Sequence, residues 1–144
     1  ASSSTNKLVF HHPSHSITIY SRTLSEKNLK KTITKFFKPF AYKLIKKQIS
    51  LYPSYQKLVN SIFIRNQKTR FGSCSSRQNL SFNWQIIFFP PDKFNHIICH
   101  ELVHLVEKNH QKNFYQKLAI LDPNWESNNK WLKLEAKKHF LLRP

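Results

Sequence analysis

The sequence IICHELVHLV, residues 97–106, decides the fold of this 144-residue chain. It places an H-E-x-x-H motif inside an apolar segment that has the period of a helix. His100 and His104 then share one face of the helix, about 6 Å apart along its axis, and both imidazoles can reach one metal ion. Glu101 lies on the flank of that face, where it can take a proton from a zinc-bound water. The segment therefore predicts a zinc-site helix with a buried apolar side.

A third metal ligand is needed, because a catalytic zinc has three protein ligands and one open position. His110 follows His104 by six residues, and on a continuous helix it would point away from the metal. We therefore predict a helix over residues 93–107 that begins with Asp92 as N-cap and ends before His110, with residues 108–109 supplying the break. Glu135, in the last predicted helix, is the rival third ligand.

Two further residues are candidates for the same site, and each has two interpretations. His96 precedes His100 by one helical step and either polarises substrate or supports a ligand, unless it is only a partly buried polar residue. Arg70 either ties its hairpin to backbone carbonyls or to an acid such as Asp92 or Glu107, which we favour, or binds a substrate carboxylate or phosphate.

Short β-prone runs precede the site helix. Residues 7–12 and 16–20 predict one hairpin, residues 61–65 a strand, and residues 69–74 with 79–83 a second hairpin. Gly72, the only glycine, is expected where a bulge or a close backbone contact requires it. The strand just before the site could pair with an extended substrate, and its candidate residues are Asn79, Ser81 and Asn83.

Helical patterns occupy most of the remaining chain. Residues 25–49 carry apolar positions at helical spacing opposite a lysine-rich face, and Pro39 inside them should kink the helix or start a second one. Residues 113–121 and 125–140 predict two more helices, separated by a turn. The fold class is α+β: a compact single domain with a small antiparallel sheet beside an active-site helix and a helical C-terminus. We divide it into a short β region (1–24), a basic helical region (25–60) and a zinc-site core (61–144).

The charge is strongly positive and uneven. The net charge is +17, and residues 1–72 hold 14 Lys or Arg against one acid. This predicts binding of nucleic acid or nucleotide through the basic residues 27–47, although a lysine-rich helix face is more often only solvated. Cys74 and Cys99 form no disulfide framework, so we read both as buried thiols and predict a cytoplasmic location. No apolar run approaches the roughly 20 residues of a membrane span.

The assembled motifs resemble the YgjP-like zinc metallopeptidase family. The matching stretches are KTRFGSCSS (68–76), LSFNW (80–84), HELVH (100–104) and NH (109–110), with Phe71 where the family usually has Trp and His96 where we expect Tyr. The resemblance implies a zincin of gluzincin type, distantly related to the SprT and WLM families. It also implies His100, His104 and His110 as zinc ligands and Glu101 as the catalytic residue.

Three functions from different classes remain open at this point. The first is a zinc-dependent peptidase acting on protein or peptide. The second is a nucleoside triphosphate pyrophosphohydrolase of UTP type, which the annotation of some relatives suggests but which lacks a Gly-rich phosphate loop here. The third is a nucleic-acid-associated zinc domain of weak activity, in which the metal mainly stabilises the fold.

Overall fold

The structure is a computed structural model that describes residues 7–11, 16–20 and 25–142. The chain divides into two compact units, residues 1–37 and 38–144. The first unit contains an antiparallel hairpin of β1 (Lys7–His11) and β2 (Ser16–Tyr20), in which Lys7 pairs with Tyr20. The predicted hairpin is therefore confirmed, and its predicted turn lies outside the described residues.

A long helix, α1 (Glu26–Ile49), crosses the boundary between the two units. Its buried positions recur every four residues, which is the spacing of one helix face; they are Ile33, Phe37, Ala41, Ile45 and Ile49. Phe36 and Phe40 also belong to the apolar pattern of residues 25–49, but they are about half exposed. Pro39 lies inside the helix and starts no second one.

The second unit contains a three-stranded sheet of β3 (Ser61–Arg65), β4 (Gly72–Cys74) and β5 (Asn79–Asn83), with β5 in the middle. β4 and β5 form the predicted antiparallel hairpin, whereas β3 runs parallel to β5. The predicted antiparallel sheet is thus a mixed one. The reason is that β4 reverses the chain between β3 and β5, so these two strands run in the same direction and pair in parallel.

The helices of the second unit follow the sheet. A short α2 (Pro53–Gln56) precedes it, and a buried 3₁₀ helix (Trp84–Phe88) links β5 to α3 (Pro91–Val103). Then come α4 (Lys112–Leu121), α5 (Trp125–Leu134) and a final 3₁₀ turn (Ala136–His139). The α+β class and the helical C-terminus are confirmed. The division into three regions stays a prediction.

The boundaries of α3 differ from those predicted. The helix begins at Pro91, with Pro90 at the N-cap, so Asp92 lies in the first turn and caps nothing. Proline at the first helical position needs no hydrogen bond for its missing N–H, which explains the earlier start. The helix ends at Val103, one residue before His104 and four residues earlier than expected. None of the helices in the described ranges is long and apolar enough to cross a membrane.

Candidate metal centre

Three histidines meet at the end of α3. His110 Nε2 lies 2.9 Å from His104 Nε2 and 3.0 Å from His100 Nε2. The chain leaves the helix at His104 and turns through residues 104–106, which brings His110 back towards the helix end. The predicted helix break is therefore present. The three imidazoles form a group that could hold one metal ion.

The hydrogen bonding of the triad fits a cation. His104 Nδ1–H donates to the backbone carbonyl of Glu107 at 3.0 Å, which leaves the Nε2 lone pair facing the other two rings. One N–H group cannot donate fully to the lone pairs of two neighbouring nitrogens. A metal ion, in contrast, accepts the Nε2 lone pairs of all three rings. Burial and the adjacent histidines lower the pKa of His100 to about 3. The His100 ring is thus neutral, as a metal ligand must be.

Phe114 holds the three rings together. Its ring is fully buried, and its centroid lies 4.7–4.9 Å from the centroids of His100, His104 and His110. Phe114 stands in the first turn of α4, four residues after His110. The sequence analysis assigned no role in the site to Phe114.

The loop that carries His110 is fastened by Glu107. Its carboxylate pairs with Lys117 of α4, so it is engaged away from the histidines. Glu135, the rival third ligand, pairs with Lys138 at 3.0 Å and is not among the grouped side chains. The structure therefore brings His110, and neither carboxylate, to the two histidines of the helix.

Glu101 lies between the helix and the edge of the sheet. Glu101 is 6% exposed, and its side chain packs on Gly72. A Cβ atom added at Gly72 would lie 2.8 Å from Glu101 Cγ and 3.1 Å from Glu101 Oε1. The close contact expected at Gly72 is therefore present, and no positive φ is involved. Burial raises the pKa of Glu101 to about 8, against the opposing charge of Arg70.

His96 is enclosed rather than presented to solvent. It is 1% exposed, and its Nδ1 lies 2.6 Å from an oxygen of Asp122, at the start of the turn between α4 and α5. Asp122 also accepts hydrogen bonds from Asn128 Nδ2 at 3.0 and 3.2 Å and from the backbone N–H of Asn124. This buried network joins α3 to α5 directly behind His100, whose ring centroid is 6.2 Å from that of His96.

Arg70 does not make the ties that we predicted. Asp92 pairs with Lys93 and Glu107 with Lys117, and within the described part of the chain Arg70 has neither a hydrogen bond nor an ion pair. Its side chain is exposed and lines the cleft beside Glu101. The predicted partners were wrong because each of these acids has a lysine close by on its own or the next helix.

The substrate strand was also wrongly predicted. Asn79, Ser81 and Asn83 lie on β5, whose two edges are already paired with β3 and β4. A central strand has no free backbone groups to offer a further strand. Asn83 instead caps the following 3₁₀ helix by accepting a hydrogen bond from Gln85 N–H at 3.0 Å. The strand at the sheet edge beside the histidines is β4.

The cleft has two lobes that meet at Arg70, Gly72, His100 and Glu101. The histidine lobe, about 440 Å³, extends from the triad along β4 to Ser75 and Ser76, with Lys108 at its rim. The basic lobe, about 340 Å³, extends in the other direction. Besides the shared residues it is lined by Thr69, Phe71, His96, Ile97, Asn129, Leu132, Lys133 and Lys137. The sequence predicted the three histidines of the first lobe. It also named Arg70 and His96, which line the second lobe, but not the cavity that they help to form.

Both cysteines are free thiols, as expected. Cys99 is fully buried on α3, where it packs in a cluster with Val103, Phe114 and Leu118. Cys74, which we also predicted to be buried, is half exposed at the end of β4 and lines the histidine lobe. Its strand is an edge strand, which explains the exposure.

Comparison with known proteins agrees with the site. The family model described as YgjP-like, metallopeptidase domain matches residues 2–135, which includes the N-terminal region that the recognised motifs do not reach. A search of curated proteins gave no match. The matched range contains every residue of the histidine lobe and all of the basic lobe except Lys137.

Proposed function

This chain belongs to the YgjP-like metallopeptidase family, and we propose that it is a zinc-dependent peptidase. His100, His104 and His110 would hold the metal, and Glu101 would be the general base. The observation that carries the proposal is the triangle of imidazole nitrogens, 2.9–3.0 Å apart along two sides, beside a carboxylate that lines the same cleft.

The proposed chemistry needs a proton acceptor for the attacking water and a Lewis acid that polarises the substrate carbonyl. Zinc, when bound, polarises a carbonyl group and lowers the pKa of a water molecule in its open position. Glu101 accepts the proton of the attacking water and returns it to the departing amine. Its position against Gly72 fixes the carboxylate at the edge of the sheet, within the cleft that the substrate must enter. His96, held by Asp122, acts as a positioning residue behind His100.

The substrate backbone would pair with β4. Phe71 and Ser75 hydrogen-bond to β5 on either side of this strand. Because antiparallel pairing alternates, the backbone N–H and C=O groups of Gly72 and Cys74 point to the outer edge. These residues line the histidine lobe, so an extended peptide added to the edge would pass the triad.

Nucleotide hydrolysis is the alternative that the same site could support, since the cleft is rich in cations. No observation favours it over peptide hydrolysis. Binding of nucleic acid or nucleotide through residues 27–47 also stays a prediction, motivated by exposed lysines on α1 such as Lys31, Lys35 and Lys43. The cytoplasmic location is likewise untested.

One experiment separates these activities. The zinc-loaded protein and its Glu101→Gln variant are incubated in parallel with an unfolded protein and with UTP. We expect the wild type to cleave the polypeptide and the variant to lose at least about 10²-fold in rate with its zinc retained, because glutamine accepts no proton. UTP hydrolysis that depends on Glu101, with no polypeptide cleaved, would replace the peptidase by a pyrophosphohydrolase.

A further inference from the structure

The basic lobe combines an apolar floor with a positively charged rim, and it adjoins the proposed catalytic carboxylate. Phe71, Ile97 and Leu132 supply the apolar surface, and Ile97 is 2% exposed. Resting on the proposed function, we propose that this lobe is the specificity pocket of the peptidase and that it takes a substrate residue bearing a carboxylate close to the cleaved bond.

The floor of the lobe is held by aromatic packing. The ring of Phe71 lies edge-on to those of Phe89 and Phe140, with centroids 5.6 and 5.8 Å away. Phe89 packs in turn on Trp131 of α5, at 5.5 Å. This cluster joins the strand end before β4 to the helix that carries Leu132. The lobe is therefore a formed cavity of the second unit, and the methylene groups of a side chain can pack on it.

The rim of the lobe consists of three exposed cations: Arg70, Lys133 and Lys137. Among the described residues, none of the three side chains has an ion-pair or hydrogen-bond partner. Two other lysines near the lobe are engaged: Lys93 of α3 pairs with Asp92, and Lys138 pairs with Glu135. A surface cation whose neighbours are paired and which itself faces a cavity is free to bind an anion from outside the chain.

Of the described residues that line the lobe, Glu101 is the only acid, and it is the proposed general base. Glu101 is buried at the inner end, whereas the three cations surround the mouth. A substrate carboxylate therefore meets net positive charge on entry, and a substrate lysine meets repulsion. Exposed ion pairs contribute little each, so three of them support a preference for Glu over Lys on the order of tenfold, which falls as salt rises.

The carboxylate can come from two sources, an acidic side chain or the C-terminus of the substrate. An internal Glu or Asp would place the lobe beside one residue of an endopeptidase substrate. A terminal carboxylate would make the enzyme a carboxypeptidase, since the bond cut would lie next to the chain end. Arg70 suits either, because its guanidinium binds a carboxylate with two parallel hydrogen bonds.

The test starts from the cleavage sites. The zinc-loaded enzyme digests an unfolded protein, and mass spectrometry identifies the cleaved bonds. Amidated peptides that carry Glu, Gln or Lys at the preferred position, and a peptide with a free C-terminus, are then compared by kcat/KM. We expect Glu or the free C-terminus to exceed Lys by about tenfold in 50 mM salt.

The variant Lys133→Glu/Lys137→Glu should reverse the preference towards Lys, with zinc content unchanged. The matched control Lys57→Glu/Lys130→Glu makes the same change of net charge at exposed lysines outside both lobes and should keep the preference for Glu. Cleavage without a preference, or a preference that survives the charge reversal, contradicts the proposed pocket and leaves the peptidase intact.

A binding measurement keeps the two proposals apart. The amide signals of Phe71 and Leu132 are followed by NMR while zinc-loaded Glu101→Gln protein is titrated with blocked tripeptides centred on Glu or on Lys. Larger shifts with the Glu peptide support the pocket even if no polypeptide is ever cleaved, in which case the peptidase proposal alone fails. Equal shifts with both peptides overturn the pocket.

Discussion

The two lobes of the cleft share four residues, but they differ in how far apart along the sequence their functional groups lie. The histidine lobe takes its three histidines and Glu101 from one short segment, residues 100–110, folded as a helix end and a loop. The basic lobe is assembled from the strand end at Arg70, the site helix, α5 and the residues after it. Its last lining residue, Lys137, follows Arg70 by 67 positions. The comparison teaches that the reacting groups are specified by local spacing, whereas the shape and charge that select a substrate depend on tertiary packing.

Asp122→Ala is expected to have the largest effect of the substitutions that follow, and its effect is on stability. It leaves His96 without its partner and removes the acceptor of Asn128, so the free energy of unfolding should fall by about 3 kcal/mol. Chemical denaturation measures this, with Asp92→Ala as control, since Asp92 is exposed and its loss should cost under about 0.5 kcal/mol. The folded variant should still bind one zinc. Loss of zinc from a folded Asp122→Ala protein would mean that zinc binding in the histidine lobe depends on the packing around His96 in the basic lobe.

Gly72→Ala should act on the chemistry rather than on the fold. The added Cβ would meet Glu101 Cγ at 2.8 Å and displace the carboxylate, so kcat should fall on the order of tenfold while zinc remains bound. Ser73→Ala, on the neighbouring residue of β4, is the matched control and should keep its turnover. An unchanged kcat in Gly72→Ala would show that the position of Glu101 does not depend on the strand.

Arg70→Ala should have the smallest effect, confined to substrate binding. Arg70 makes no ion pair in the described part of the chain, so the melting temperature and zinc content should match those of the wild type while KM rises about threefold. Arg77→Ala, an exposed arginine of the β4–β5 turn outside both lobes, serves as control. A lower melting temperature with KM unchanged would restore the supporting role that the sequence favoured.

Features set by local spacing could be predicted from the sequence, whereas those set by tertiary packing could not. The spacing of His100, His104 and His110 predicted the grouping of the three rings. A four-residue step places two side chains on one helix face, and the third can join them only if the helix ends before it. Asp92 was misjudged as the N-cap because the proline at position 91 starts the helix one residue earlier. The order of the strands could not be predicted, since alternation assigns faces but not neighbours. For this reason the edge strand was taken to be β5 rather than β4.

The central claim is that three histidines on a helix end and its loop hold one catalytic zinc. The most direct test is the zinc stoichiometry of purified protein, by elemental analysis after dialysis, for the wild type and for His110→Ala. The account predicts one zinc per chain in the wild type and an affinity more than about 100-fold weaker in the variant, a larger loss than removal of an outer-shell partner causes. His139→Ala, which alters an exposed histidine packed on Trp131, should bind like the wild type. Full retention of zinc by His110→Ala would contradict the assignment.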